Sequence, residues 1–355
     1  MEQWPKSLSP FEEDIRAALL PGSSSRNKME MCARLELMIE NESLSEADIE
    51  VIRDIESRLD LRKQIRPVLK FSTATIVVLK IIICVCVAII IAPFEIIASV
   101  LTLFNPIWAK LNLKKNNLPT EMLQLLTFRW GALCFGLEVH VEGKNNVPDV
   151  PVVFMYSHAS NLDPLAIGAV APCPLRFIGK KAIFLIPLFG WLFMLYGHIP
   201  IDRHNRESAI ESLKSAARSV RRSKASIAIS PEGTRSVTGH LQKFKKGPFH
   251  LAAHTRMPIV PVIINDAYDL MPVGHILPHS GVLTIRYLEP IMPPEGNDPI
   301  DVDHLSRTVR VAMLQGLSEP AAGQADVYLF HETLVTILPA AIIIVAAAYL
   351  YLSRN

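Results

Sequence analysis

Apolar positions along the chain fall into three kinds of pattern. Short runs rich in β-branched residues, "PVVFMYS" (151–157), "ASIAIS" (225–230) and "PIVPVII" (258–264), each end at polar, Gly or Pro positions, as strands buried on both faces of a sheet do. "VLTIRYL" (282–288) reads as a further strand within the Pro/Gly-interrupted stretch Pro272 to Pro299. Between the strand runs, residues 207–222 place Ala209, Ile210, Leu213, Ala216, Ala217 and Val220 on one stripe, which predicts an amphipathic helix. Its Arg218, Arg221 and Arg222 suit the negative end of the helix dipole. The stretch 231–255 reads as a loop leading into a helix. Together these predict a soluble α/β domain, a mixed sheet flanked by helices, over residues 119–325.

The second pattern is the long apolar block. Residues 72–106, "STATIVVLKIIICVCVAIIIAPFEIIASVLTLFNP", exceed what a core helix needs, although Lys80, Pro93 and Glu95 interrupt them. Residues 333–352 carry no charge over 20 positions, the length that a bilayer core of roughly 30 Å requires. They predict a membrane helix or hairpin within 67–118 and a C-terminal transmembrane helix at 333–352. A proline followed by a glutamate is awkward in a continuous span, which favours a hairpin turning at Pro93-Phe94-Glu95 over a single crossing. Arg58, Arg62, Lys63, Arg66 and Lys70 crowd the edge of the first block and place that edge, and with the hairpin the domain itself, on the cytosolic side.

The third pattern is the polar start. Residues 1–66 comprise a Pro/Ser-rich beginning and a helical tract after Lys28, where Ser45 and Asp48 resemble a capping box and Ile49, Ile52, Ile55 and Leu59 recur near helical spacing. This is a small helical extension, either a solvated helix with one packed face or a regulatory or oligomerising element. It does not read as a signal peptide.

Composition sharpens the picture in two places. Hydrophobic residues make up 50% of the 355, the excess lying in the two blocks, and the formal net charge of +2 says nothing about partners; nucleic acid is not among those expected. The five cysteines, Cys32, Cys84, Cys86, Cys134 and Cys173, form neither a disulfide framework nor a zinc spacing, which favours a reducing compartment and calls for no metal.

The chemistry centres on "HASNLD" (158–163). Asp163-Pro164 supplies a helix start, with Asp163 as N-cap, so His158 lies in a loop between a strand end and a helix N-terminus. A carboxylate bonded to one imidazole nitrogen fixes the tautomer and makes the other nitrogen a better base. Five positions apart, the pair can meet across a tight loop but not along a helix. Alone this spacing is weak. "GHIPIDR" (197–203), "SPEGTRS" (230–236) and "IVPVII" (259–264) follow in order, and with "HASNLD" they closely resemble the glycerolipid acyltransferases, most nearly the 1-acylglycerol-3-phosphate acyltransferases. The resemblance covers roughly 130–290 and leaves the N-terminal 66 residues and the C-terminal tail unexplained.

The resemblance implies transfer of an acyl group from a thioester, acyl-coenzyme A or acyl carrier protein, to the hydroxyl of lysophosphatidic acid, with glycerol 3-phosphate or another lysophospholipid as alternative acceptors. A thioester hydrolase or an inactive lipid-binding protein is a more distant alternative. His158 is then the general base and Asp163 its orienting partner, with no cofactor beyond the donor co-substrate. Arg203, Glu232, Gly233, Thr234 and Arg235 match positions associated with acceptor binding, and a guanidinium can grip phosphate with two parallel bonds. Glu232 beside a phosphate either holds an arginine or bonds the glycerol hydroxyl. Ser230 stands where the family often has a bulky apolar residue, and no nucleophile elbow surrounds it.

Two flanking stretches complete the reading. Lys243, Lys245 and Lys246 could meet coenzyme A phosphates or anionic headgroups, or form a solvated loop. "AIFLIPLFGWLFMLYG" (182–197) is a membrane-facing surface, an acyl-tunnel wall or plain core. An integral protein of the endoplasmic reticulum, rather than of a bacterial inner membrane, is expected, with the lipid bilayer as its partner.

Overall fold

A computed structural model describes residues 5–20, 23–41, 44–60, 119–187, 189–202, 211–213, 215–218, 225–275, 277–294, 299–319 and 325–329, with isolated positions at 75, 78, 79, 82, 93 and 97. Among the described residues no helix is long and apolar enough to cross a membrane. The hairpin and the C-terminal helix expected from the two apolar blocks lie outside the described residues, apart from those isolated helical positions.

The chain begins with α1 (Glu12–Leu19), α2 (Ser25–Asn41) and α3 (Glu46–Arg58). The helical part therefore starts earlier than the tract expected after Lys28. Ser45 caps α3 by accepting the Asp48 N–H at 3.2 Å, the bond its sequence pattern implies. Leu8, Ile15, Leu35, Ile52, Ile55 and Leu59 close a core of their own. The opposite side of α2 offers Met29 and Ala33, one turn apart, to the core of the α/β domain.

That domain runs α4 (Pro119–Cys134), β1 (Leu137–Glu142), β2 (Val153–Tyr156), α5 (Leu162–Val170), β3 (Leu175–Lys180), α6 (Phe189–Leu195), β4 (Ile199–Ile201), β5 (Ser226–Ile229), α7 (Lys246–Thr255), β6 (Ile259–Asn265), β7 (Gly281–Tyr287), α8 (Val302–Ser318) and β8 (Asp326–Leu329). The strands form one mixed sheet in the order β4-β3-β5-β2-β6-β7-β1-β8. β2 is parallel to both neighbours, β5 and β6. β7 is antiparallel to β6 and parallel to β1, and β8 is antiparallel to β1. The last strand lies beyond residue 325, where the sequence places the end of the domain.

The three strand runs are fully buried because each has a helical layer on both sides. Phe154 and Tyr156 join Val260, Val262 and Ile264 under α4 and α5. Val153 and Met155 point the other way, joining Ile227, Ile263, Phe249 of α7 and Val309, Met313 and Leu317 of α8. Alternation along each strand thus feeds two cores at once. Residues 211–213 and 215–218 are helical, with Leu213, Ala216 and Ala217 inward and Arg218 outward, paired with Glu211 at 3.1 Å. Ala209, Ile210, Val220, Arg221 and Arg222 lie outside the described residues.

Candidate active site

Strand order builds the site. Because β5, β2 and β6 are adjacent and parallel, the loops after β2 and β5 leave the sheet together at the C-terminal ends of these strands, the position where α/β sheets place ligands. The first loop carries His158, two residues past Tyr156, and the second carries Pro231 to Arg235.

His158 Nδ1 lies 2.8 Å from Asp163 Oδ2. An ionised carboxylate only accepts, so the neutral ring carries its proton on Nδ1 and presents Nε2 as the lone-pair nitrogen. The His158 side chain keeps 14% of its exposure, and Asp163 keeps 1%. The same Oδ2 accepts the N–H groups of Ala159 and Ser160, both at 2.8 Å. Here the structure corrects the expected N-cap. Asn161 occupies the cap of α5 and Asp163 sits in its first turn. Its carboxylate is used backwards, on the loop and the histidine, instead of forwards on the helix. The other oxygen, Oδ1, is buried without a hydrogen-bond partner among the described residues.

The main chain of His158 is pinned on both sides. Its carbonyl accepts the Ser236 N–H at 2.7 Å, and its N–H donates to Glu232 Oε1 at 2.8 Å. Glu232 Oε2 accepts the Gln242 N–H at 3.0 Å. Glu232, 1% exposed, therefore ties two loops together through backbone amides, a role different from either expected from sequence. Burial pushes its carboxyl up to about 8, although both N–H bonds pull the other way. Gln242 and Ser236 were not legible as site residues, because what they contribute is an amide that any residue but proline would supply.

Gly233 adopts φ +73°, a left-handed turn at which a side chain would be strained, and a Cβ there would stand 3.1 Å from Lys245 Cγ. Thr234 is exposed and Arg235 half-buried, the latter without an ion pair among the described residues. Arg203 lies outside the described residues. Ser230 is buried, its hydroxyl unpartnered among the described residues. Lys243 and Lys245 are exposed, and Lys246 pairs with Asp303 at 2.7 Å, also on the surface.

The apolar stretch 182–197 divides between two environments. Phe184, Leu192 and Tyr196 are buried, whereas Leu185, Ile186, Phe189, Trp191, Met194 and Leu195 are exposed, Leu185 to 74%. Phe193 packs between Phe128 of α4 and His198, with ring centroids at 6.4 and 4.5 Å. His198 is buried and held neutral by desolvation, assisted by the nearby Arg176 charge. Plain core is therefore excluded for half of the stretch. Lys180 and Lys181, also exposed, adjoin it.

A model of the family described as "Acyltransferase" matches residues 138–265, which takes in β1 to β6 and both site loops. The 1-acyl-sn-glycerol-3-phosphate acyltransferase of Limnanthes alba is 31% identical over 207 residues, 58% of this chain and 72% of that one. The chain belongs to the acyltransferase family. Another member, the 1-acyl-sn-glycerol-3-phosphate acyltransferase of Saccharomyces cerevisiae, is 33% identical over 189 residues, and the match spans 62% of its length and 53% of this chain. The crystal structure of the 1-acyl-sn-glycerophosphate (LPA) acyltransferase PlsC from Thermotoga maritima superposes with a TM-score of 0.57 at 22% identity, covering 71% of this chain and 98% of that one. The likeness extends the acyltransferase fold to the mixed sheet described above. The family model does not reach α1 to α3 or α8.

Proposed function

We propose that the protein transfers a fatty acyl group from an acyl thioester to the free hydroxyl of 1-acylglycerol 3-phosphate, forming phosphatidic acid. The observation that carries this reading is the His158–Asp163 contact at 2.8 Å, at the C-terminal strand ends shared with the Glu232 to Arg235 loop. His158 Nε2 takes the hydroxyl proton as the acceptor oxygen attacks the thioester carbonyl, and Asp163 stabilises the resulting imidazolium. The carbon–sulfur bond then breaks, and the departing thiolate takes that proton from the imidazolium. A thiol with a pKa near about 8.5 leaves readily, whereas an alcohol needs a base in order to attack. One histidine can therefore serve both halves of the reaction.

Arg235, with Arg203, binds the acceptor phosphate, and Thr234 adds a hydroxyl to that site. The donor is acyl-coenzyme A. The exposed apolar residues of 185–195, flanked by Lys180 and Lys181, rest on the bilayer from which the lipid acceptor comes. The protein is integral to the endoplasmic reticulum membrane with this domain facing the cytosol. The names of the yeast and Limnanthes relatives support the choice of acceptor.

The test is acyl transfer from radiolabelled oleoyl-coenzyme A by the purified chain, with lysophosphatidic acid, glycerol 3-phosphate, neutral lysolipids and no acceptor in parallel. Label in phosphatidic acid, lost in His158→Ala, is the expected result. Free oleate without acceptor dependence would make the protein a hydrolase and overturn the proposal.

A further inference from the structure

Arg310, on α8, is joined to the N-terminal helices and to the site by one run of hydrogen bonds. Its Nη2 donates to Glu36 at 2.9 Å and its Nε to Glu40 at 3.1 Å, both on α2. Its Nη1 donates to the Gln242 carbonyl at 3.0 Å. The guanidinium also lies over the Phe244 ring, 5.6 Å from the centroid. With 12% of its surface exposed, and Glu36 with 17%, this is a shielded pair, unlike a mobile surface contact. On the far side of Gln242, its N–H holds Glu232, and Glu232 holds the His158 N–H.

The docking is broad enough to be fixed. Arg53 of α3 braces Glu36 at 2.6 Å and Glu56 at 2.7 Å. The Arg34 Nε donates to the Ser318 carbonyl at the end of α8, and the Ser25 hydroxyl donates to Asp269 at 2.6 Å. α2 thus spans the outer face of α8, and its Met29 and Ala33 enter the core that also contains Val153 and Met155 of β2.

We infer that the N-terminal helices are part of the catalytic apparatus: through Glu36 and Glu40 they hold Arg310, and Arg310 is a positioning residue that fixes the Gln242–Glu232 strut under the His158 backbone. The inference rests on His158 being the general base. It assigns the extension a task in the reaction, apart from regulation or oligomerisation. A guanidinium is needed because three acceptors in different directions must be met at once, which the single ammonium of lysine does less well.

The experiment measures kcat, KM for donor and acceptor, and melting temperature in the full chain. The variants are Arg310→Met, Arg310→Lys, Glu36→Gln, Glu232→Gln and the double variant Arg310→Met with Glu232→Gln, with His158→Ala as control. Arg310→Met should lower kcat about tenfold or more with donor KM unchanged, since loss of positioning far from the reacting atoms commonly costs up to about a hundredfold. Arg310→Lys should recover part of that loss. The double variant should be scarcely slower than the worse single variant, as expected for groups acting as one unit.

If Arg310→Met does not fold, Arg310→Lys and Glu36→Gln decide, with kcat expected to fall at a melting temperature close to the parent's. A parental kcat in folded Arg310 variants, or multiplying effects in the double variant, overturns the inference while an inactive His158→Ala leaves the base in place. Full activity in His158→Ala overturns both.

Discussion

Replacement of Asp163 by asparagine separates charge from shape at the site. Asparagine can be accommodated in one orientation only. Its carbonyl must take the place of Oδ2, which accepts from His158 Nδ1, Ala159 N and Ser160 N at 2.8 Å each. The opposite orientation would press an NH2 group against two backbone donors. In the allowed orientation the NH2 replaces Oδ1, an atom buried without a partner among the described residues. The loop keeps its geometry and loses its charge.

Hydrogen bonds to charged groups contribute about 1.5–3 kcal/mol and neutral ones about 0.5–1.5, and opposite charges some 4 Å apart gain up to about 4 kcal/mol at an effective dielectric of 20. The imidazolium formed as the hydroxyl is deprotonated therefore loses about 1.5–4 kcal/mol of stabilisation, or roughly 10- to 1,000-fold in kcat at 1.36 kcal/mol per tenfold. The assay is initial-rate acyl transfer at saturating thioester with varied lysophosphatidic acid, alongside a melting curve. Acceptor KM should stay within about threefold, because the carboxylate supports a step that binding does not use. A kcat within about threefold of the parent in a folded Asp163→Asn variant would sink the reasoning and leave Asp163 as a loop staple. Asp163→Ala is the poorer probe, since three donors would be left unpaired at about 1–3 kcal/mol for each buried group.

Glu232 should give a pH signature in stability. Its folded pKa of about 8 lies above the 4.5 of a free glutamate, so its contribution is fully present below pH 4.5 and is lost as pH rises through 8. Melting temperatures from pH 5 to 9 should show that decline in the parent and a shallower one in Glu232→Gln. Gly168→Ala would put a Cβ 2.6 Å from the Phe128 ring, between α5 and α4; the overpacking should cost about 1–3 kcal/mol, read as a lower denaturant midpoint. Arg235→Ala should raise KM for the phosphorylated acceptor and leave donor KM unchanged, and a parental acceptor KM would remove the guanidinium from the phosphate site.

What was legible in the sequence follows from what each residue does with its side chain. Val153 to Tyr156 and Ile259 to Ile264 announce buried strands because both faces are covered and nearly every position is apolar. β1 hides because Glu138, His140 and Glu142 interrupt it; Glu142 is spent on Arg286 of β7 at 2.7 Å, a partner 144 residues away in the chain. His158 and Asp163 are visible as a pair, yet whether the carboxylate reaches forward to the helix or back to the loop is decided by the turn at residues 159–161, which spacing alone does not specify. In the sequence Glu232 stands out only by its charge, whereas the structure uses it as an acceptor for main-chain amides. Arg310 carried no signal at all, since its partners Glu36 and Glu40 lie about 270 residues earlier and look like ordinary helix-surface acids.

The run of strand directions also fixes the end of the sheet at which the chain leaves the domain. β8 opposes β1, and β1 in turn opposes β2 through β7 and β6, so β8 points the same way as β2 and Leu329 finishes at the same end of the sheet from which His158 emerges. The uncharged run starts at Thr333, four residues later, and four residues stretch to about 14 Å at most. If that run enters a bilayer, it acts as a short tether on the outermost strand, at the end of the sheet where the loops after β2 and β5 also emerge, four strands across from the histidine.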